Sequence, residues 1–308
     1  MTDRDAAPGT ASVQCVGVVV HPSRNIDPPL DQLRGWADAH DVTVVQVAVP
    51  GQDRMVADRG DVGDCDLIVS IGGDGTMLAA IRAAEALRLP VLGVSCGSLG
   101  VLTAVPAGAV ATALDRVRRN DWSPRVLPAL SVTRPGAPAL PAFNDACVVR
   151  NGIGQVRVAS TVDGVLFARL AGDGCIVSTP LGSTAYALAA GGPLLAPGTD
   201  AYLLTPLPSH GGSRQPLVIP AGAELALEIS TGIGGARLEI DGQVLDQDPG
   251  TLRITLRQNV ATLVGFPDQE PLFTSLRRRG IIADSPRIVA DAVRATADPV
   301  AKTPPAGV

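Results

Sequence analysis

The 308-residue chain carries 25 Lys and Arg against 30 Asp and Glu, and its formal charge of −5 offers no electrostatic footprint for nucleic acid or an anionic membrane. Its length allows two ordinary domains, and the 46% hydrophobic content can fill a core in each, with Val, Leu, Ala and Ile in place of the scarce aromatics. Five cysteines, an odd number with no Cys-x-x-Cys pair, argue against a disulfide framework and a zinc site, and no run of 18 apolar residues exists, so a cytoplasmic protein with reduced thiols is expected.

Residues 1–12 are small and polar and read as a flexible start rather than a signal peptide. Residues 15–20 form an apolar run of strand length, followed by the polar turn Pro22-Ser23-Arg24-Asn25. A helix is predicted over 28–40, apolar at Leu30, Leu33, Trp36 and Ala37, and a strand over 42–49. Residues 66–71 read as a strand covered on both faces. It stops at Gly72, Gly73, Asp74, Gly75 and Thr76, and a helix is predicted from Thr76 to about Arg88. The three glycines are expected to take backbone angles closed to other residues and to let a ligand approach the main chain. The helix start adds unpaired N–H groups and a positive dipole end. This is a phosphate site holding one acid, although Asp also fills turn and cap positions routinely. No Gly-Lys-Ser/Thr follows, so it is not a Walker A loop. A further strand over 91–94 and helical periodicity to Arg119 complete an open, largely parallel α/β sheet. Ligands bind outside the carboxyl ends of such strands, where residues 72–76 lie and residues 95–100 would join them.

From about Asn120 short strand-like runs replace helical periodicity: 126–133, 142–150, 156–162, 165–168, 175–178, 225–230, 237–240, 252–256 and 261–264. Asp163-Gly164 and Asp241-Gly242 mark hairpin turns. An all-β, sandwich-like antiparallel domain is expected after the α/β domain. The expected divisions are a flexible 1–12, an α/β phosphate-binding domain 13–122, a β-rich dinucleotide-binding domain 123–265 and a C-terminal segment 266–308. That last segment is expected to pack partly on the first domain; from about residue 285 it is Ala-, Pro- and charge-rich, and it is expected to be frayed or disordered beyond Asp298.

Residues 172–186 form the second informative stretch: a Gly-flanked acid, Asp173, leads into a strand, a Thr-Pro turn and a helix over 183–190 capped by Ser183 or Thr184. Tyr186 offers a ring for stacking, or fills a core.

Ile-Gly-Gly-Asp-Gly-Thr-Met-Leu at 71–78, Asn144-Asp145, and Gly-Asp-Gly-x-x-Val-Ser-Thr-Pro-x-Gly-Ser-Thr-Ala-Tyr at 172–186 with Gly-Gly-Pro at 191–193 resemble the motif set of the NAD kinase family. Leu204-Thr205-Pro206, Pro208-x-His210, Pro216-Leu217-Val218 and Asp241-Gly242-Gln243 extend the match in family order over residues 16–265. The first motif is shared with lipid and sphingoid kinases; the second is specific. The resemblance implies transfer of a phosphoryl group from ATP, or polyphosphate, to the 2′-hydroxyl of the adenosine ribose of NAD, with Mg²⁺ or another divalent cation. It implies a homodimer or homotetramer with the site between two domains. On this resemblance Asp74 orients and deprotonates the acceptor hydroxyl, and Gly72, Gly73, Gly75 and Thr76 bind phosphate. Asn144 and Asp145 hold the acceptor nucleotide, Thr184, Ala185 and Tyr186 line its adenine pocket, Asp173 approaches the other half of the dinucleotide, and His210 is a substrate contact. No metal ligand is assigned.

Four positions depart from the family pattern: Asp145 stands for Glu, Leu181 for Thr or Ser, Ser95 for Asn, and Val101 for an aromatic. A hydroxyl lost at 181 would cost a buried ligand partner about 1–3 kcal/mol. The alternatives to an NAD kinase are a kinase of the same fold acting on another nucleoside or small metabolite, and a silent NAD(P)-binding regulator.

Overall fold

The computed structural model describes residues 13–97, 100–211 and 215–297. The chain divides into two compact units, Met1–Pro267 and Asp268–Val308. The first unit opens with β1 (Cys15–Val20), α1 (Asp27–His40), β2 (Thr43–Val47), β3 (Arg59–Gly60), β4 (Leu67–Gly72), α2 (Asp74–Ala84), β5 (Pro90–Ser95), β6 (Val105–Pro106) and α3 (Val110–Arg118). It continues with β7 (Ser123–Thr133), β8 (Leu140–Ala142), β9 (Asp145–Arg150), β10 (Val156–Val162), β11 (Val165–Gly172), β12 (Gly174–Ser178) and the four-residue α4 (Tyr186–Ala189). Strands β13 (Ala201–Pro206), β14 (Leu217–Pro220), β15 (Leu225–Thr231), β16 (Ala236–Ile240), β17 (Gln243–Gln247) and β18 (Thr251–Gly265) complete it. The second unit holds α5 (Leu272–Arg278) and α6 (Pro286–Ala297).

The N-terminal half is the α/β domain expected from its pattern. Strands β3, β2, β1, β4 and β5 run parallel, and β4 is buried along its whole length, as a continuous apolar run between two covered faces requires. Helix α1 starts with two prolines, which lack only N–H groups that no helix would use there, and it buries Leu30, Leu33, Trp36 and Ala37. The Trp36 indole N–H donates to Asp115 Oδ1 at 2.7 Å, fixing α1 against α3.

The C-terminal half is antiparallel. A six-stranded sheet in the order β14-β13-β12-β9-β16-β17 faces β7, β10, β15 and β18 across one core, in which Leu130, Val158 and Leu227 meet Val177, Leu204 and Leu238. Both Asp-Gly hairpins form, with Asp163, Gly164, Asp241 and Gly242 all at positive φ. The parallel sheet and one layer of the sandwich are a single sheet, because β18 pairs with β7 and β15 and also, at Thr262 and Leu263, with β5.

The structure differs from the sequence pattern at three places. Residues 252–256 and 261–264 belong to one strand, β18; between Arg257 and Ala261 its register shifts at a bulge with Asn259 at φ 55°, and the polar residues 257–259 interrupt its apolar pattern there. Strands β13 and β14 carried too weak an alternation to be read. Residues 286–297 form α6, an element the sequence pattern does not mark; the expectations for 1–12 and beyond Asp298 lie outside the described residues.

Candidate active site

The carboxyl ends of β1, β4 and β5 carry the glycine turn. Helix α2 begins at Asp74, two residues earlier than predicted, with Gly73 as an extended cap that has no side chain to bond the first turn. The first-turn N–H groups are therefore free for a ligand by helix geometry. None of Gly72, Gly73 and Gly75 adopts positive φ, contrary to the expectation of special backbone angles. Space explains Gly72 instead: a Cβ there would stand 2.3 Å from Thr76 Oγ1.

Asp74 is pinned at both carboxylate oxygens. Oδ2 accepts the Val101 N–H at 3.0 Å and Oδ1 the Leu102 N–H at 3.1 Å. Each oxygen keeps a further lone pair for an acceptor hydroxyl. Gly100 makes room for this, since a Cβ on it would lie 2.0 Å from Asp74 Oδ1. The same loop is braced by Arg125, whose Nη1 donates to the Val101 carbonyl at 3.1 Å. Burial pushes the Arg125 guanidinium down from its ordinary value while the Asp74 carboxylate opposes that shift. The Val101 position, aromatic in the family pattern, thus contributes its backbone to holding Asp74.

The second half of the site is organised by Asp241, whose side chain is fully buried at the β16–β17 turn. Its carboxylate accepts N–H groups from Phe143 at 3.1 Å, Asn144 at 2.6 Å and Asp145 at 3.1 Å, and pairs with Arg82 Nη2 of α2 at 2.8 Å. Three directed N–H groups and a guanidinium meet the requirement for a buried charge. Thr179 then clasps the 172–186 motif onto the same segment: its N–H donates to Asn144 O, its hydroxyl donates to Phe143 O at 2.7 Å and accepts the Gly182 N–H at 3.0 Å. A Cβ at Gly182 would strike the Asn144 carbonyl at 1.9 Å. Asn144-Asp145 and residues 179–186 are thus one cluster, and α2 carries Asp74 in its first turn and the Arg82 anchor in its third.

Asp145 is buried, and desolvation first, then the Asp241 carboxylate, push its carboxyl up to about 6. Tyr186 is half-exposed and shares a cleft of about 610 Å³ with Asp173, Arg150 and Leu207. Asp173 pairs there with Arg150 Nε. Its flanking glycines are dictated by close backbone approaches, with a Cβ at Gly172 reaching Pro208 O at 2.2 Å and one at Gly174 reaching Val148 O at 1.8 Å. His210 is not in this cleft; it lines a separate groove with Arg157, Arg169 and Glu228 on β10, β11 and β15.

Two local expectations fail. The helix over 183–190 is a 3₁₀ turn at Gly182–Thr184 followed by α4, and neither Ser183 nor Thr184 caps it. Their hydroxyls turn back to Pro180 O and Leu181 O at 2.7 and 2.9 Å, the local side-chain-to-backbone bonding that competes with capping. Leu181 is 9% exposed and packs in the core cluster that contains Met77, Leu78 and Phe143. The sequence does not point to Arg82 and Arg125; nothing in their neighbourhood along the chain marks them.

Comparison with known proteins agrees with this geometry. Residues 32–122 match the family model for the ATP-NAD kinase N-terminal domain and residues 144–261 that for the ATP-NAD kinase C-terminal domain. The chain is 35% identical to an NAD kinase of Cupriavidus pinatubonensis over 77% of this chain and 81% of that one. It is 32% identical to NAD kinase 1 of Streptomyces coelicolor over 96% and 93% of the two chains. Among solved structures, an Archaeoglobus fulgidus NAD kinase in complex with ATP superposes with a TM-score of 0.69 at 26% identity, covering 86% of this chain and 98% of that one. Yeast NADH kinase complexed with NADH shares the fold, with a TM-score of 0.73 at 19% identity over 91% and 93% of the chains.

Proposed function

Because the chain belongs to the ATP-NAD kinase family, we infer that it transfers the γ-phosphoryl group of ATP to the 2′-hydroxyl of the adenosine ribose of NAD, giving NADP. The observation that carries the residue assignments is the fixed Asp74 carboxylate beside the open first turn of α2. In the transfer the 2′-oxygen forms a bond to the γ-phosphorus while the bond to the β,γ-bridging oxygen breaks. Its electron pair stays on the departing ADP, and the hydroxyl proton passes to Asp74. The N–H groups of the first turn donate to phosphate oxygens, and Gly72 leaves room for the Thr76 side chain behind them. Asn144, Asp145 and residues 184–186 hold the nucleoside of NAD, with the Tyr186 ring available to the adenine and Asp173 at the rim of the same cleft.

Among the described residues no three of His, Cys, Asp and Glu converge as a metal cage. Asp74, the one carboxylate of the glycine turn, would be the group available to a Mg²⁺ ion carried by the nucleotide, and the ion would supply neutralisation of phosphate charge. A homo-oligomer belongs to the same reading, supported by consecutive exposed Val165, Leu166 and Phe167 on the edge strand β11. A cytoplasmic setting, where ATP and NAD are available, completes it.

The departures at 181 and 95 do not favour a different acceptor. Leu181 is core, and the buried Ser95 spends its hydroxyl on Gly97 O at 3.1 Å. Incubation with NAD, ATP and Mg²⁺ is expected to yield NADP, and Asp74→Asn to lower kcat by about 10²–10⁴-fold while NAD still binds. An Asp74→Asn enzyme with unchanged turnover would refute the assignment.

A further inference from the structure

The loop between β1 and α1 holds a guanidinium that pairs with no carboxylate among the described residues. Its backbone is fixed: His21 Nδ1 accepts the N–H groups of Ser23 and Arg24 at 3.2 and 3.1 Å, and the His21 N–H donates to Ile71 O at the end of β4. Arg54 Nη1 donates to the Arg24 carbonyl at 2.6 Å. The Arg54 guanidinium also faces Asp27 at 3.8 Å, whereas the Arg24 guanidinium pairs with no carboxylate among the described residues. Arg24 Nη1 instead stands 3.7 Å from where a Cβ of Gly73 would be and 3.6 Å from that of Gly97. It therefore spans the turns that follow β4 and β5, beside the open first turn of α2. Its field is felt there, since it opposes the rise that burial imposes on the Cys96 thiol. Arginine presents a planar fork of donors suited to phosphate oxygens, and a site that lacks any lysine in its glycine turn leaves that task open.

On the kinase reading above, we propose that Arg24 is a further catalytic residue, which binds the γ-phosphate oxygens over residues 72–76 and stabilises the charge of the transferring phosphoryl group. The guanidinium forms and breaks no covalent bond. The γ-phosphorus exchanges the bridging oxygen for the acceptor oxygen, the electron pair leaves with ADP, and the proton goes to Asp74, while Arg24 keeps all of its own protons.

Steady-state kinetics of full-length Arg24→Ala and Arg24→Lys test this alongside direct titration of ATP and NAD. Arg24→Ala is expected to lose about 10²–10³-fold in kcat/KM for ATP. Arg24→Lys should recover part of the loss, since charge returns without the fork, and added guanidinium should partly restore the alanine variant. The dissociation constant for NAD should stay within about twofold, and the melting temperature within about 2 °C because the side chain is exposed. A kcat/KM for ATP within about threefold of wild type would overturn the proposal, as would equal losses of NAD and ATP affinity. Absence of NADP formation by the wild-type protein would instead refute the kinase reading. ATP affinity of the wild type against Arg24→Ala would still decide the role of Arg24.

Discussion

Asp74 owes its position to a residue 26 places further along the chain. Gly100 is where the backbone passes close enough for the next two N–H groups to bind the carboxylate, and any Cβ there would occupy the place of Oδ1. Gly100→Ala is therefore expected to cut kcat by at least about 10²-fold by displacing Asp74, the scale on which small misplacements of catalytic groups are felt. Circular dichroism should show the fold retained, and an alanine variant with normal kcat would mean that the loop does not set the carboxylate. Asp145 gives a second residue-scale prediction. With its carboxyl raised to about 6 in the fold, the native state holds that proton more tightly than the unfolded chain. The associated stability is present below about pH 4 and is lost as pH rises through about 6. Asp145→Asn should accordingly raise the unfolding free energy by roughly 1–3 kcal/mol at pH 7.5 and by little at pH 4. Urea titrations at both values decide it; an equal gain at both would place the effect in packing rather than charge.

At the scale of elements, α2 joins the two halves of the chemistry. About 12 Å of helix separates the Asp74 turn from Arg82, and Arg82 meets the Asp241 carboxylate that gathers the N–H groups of residues 143–145. Asp241→Ala leaves three N–H groups without their acceptor and the partly buried Arg82 guanidinium with only the Ile240 carbonyl. It is expected to cost about 3–5 kcal/mol in urea unfolding and to raise KM for NAD more than it lowers kcat. A loss below 1 kcal/mol would show that water replaces the carboxylate. Elements with strong periodicity were legible: β1, β4 and α1, with the apolar faces expected of them, and both Asp-Gly hairpins. Those shaped by long-range contacts were not. The bulge in β18 exists because β7 pairs with both of its ends, and the short α4 because Thr179 and Gly182 are held against Asn144.

For the whole molecule, β18 ties the parallel and antiparallel halves into one hydrogen-bonded sheet. Breaking either half would expose the strand edge of the other, so calorimetry should show one main endotherm for the first compact unit. Two well-separated endotherms of comparable size would show that the shared strand does not couple them. By itself the sequence determined the family, the two-part α/β-then-β architecture and the acid of the glycine turn. These are written in local spacing, which fixes helix periods, turn angles and motif order. Only the tertiary structure decided why Gly72 is small, that Leu181 faces the core, and which cation anchors Asp241. Arg82 and Arg125 act on groups brought near by strand order, as when Arg82 meets Asp241 across 159 positions, and no local pattern encodes such a pairing.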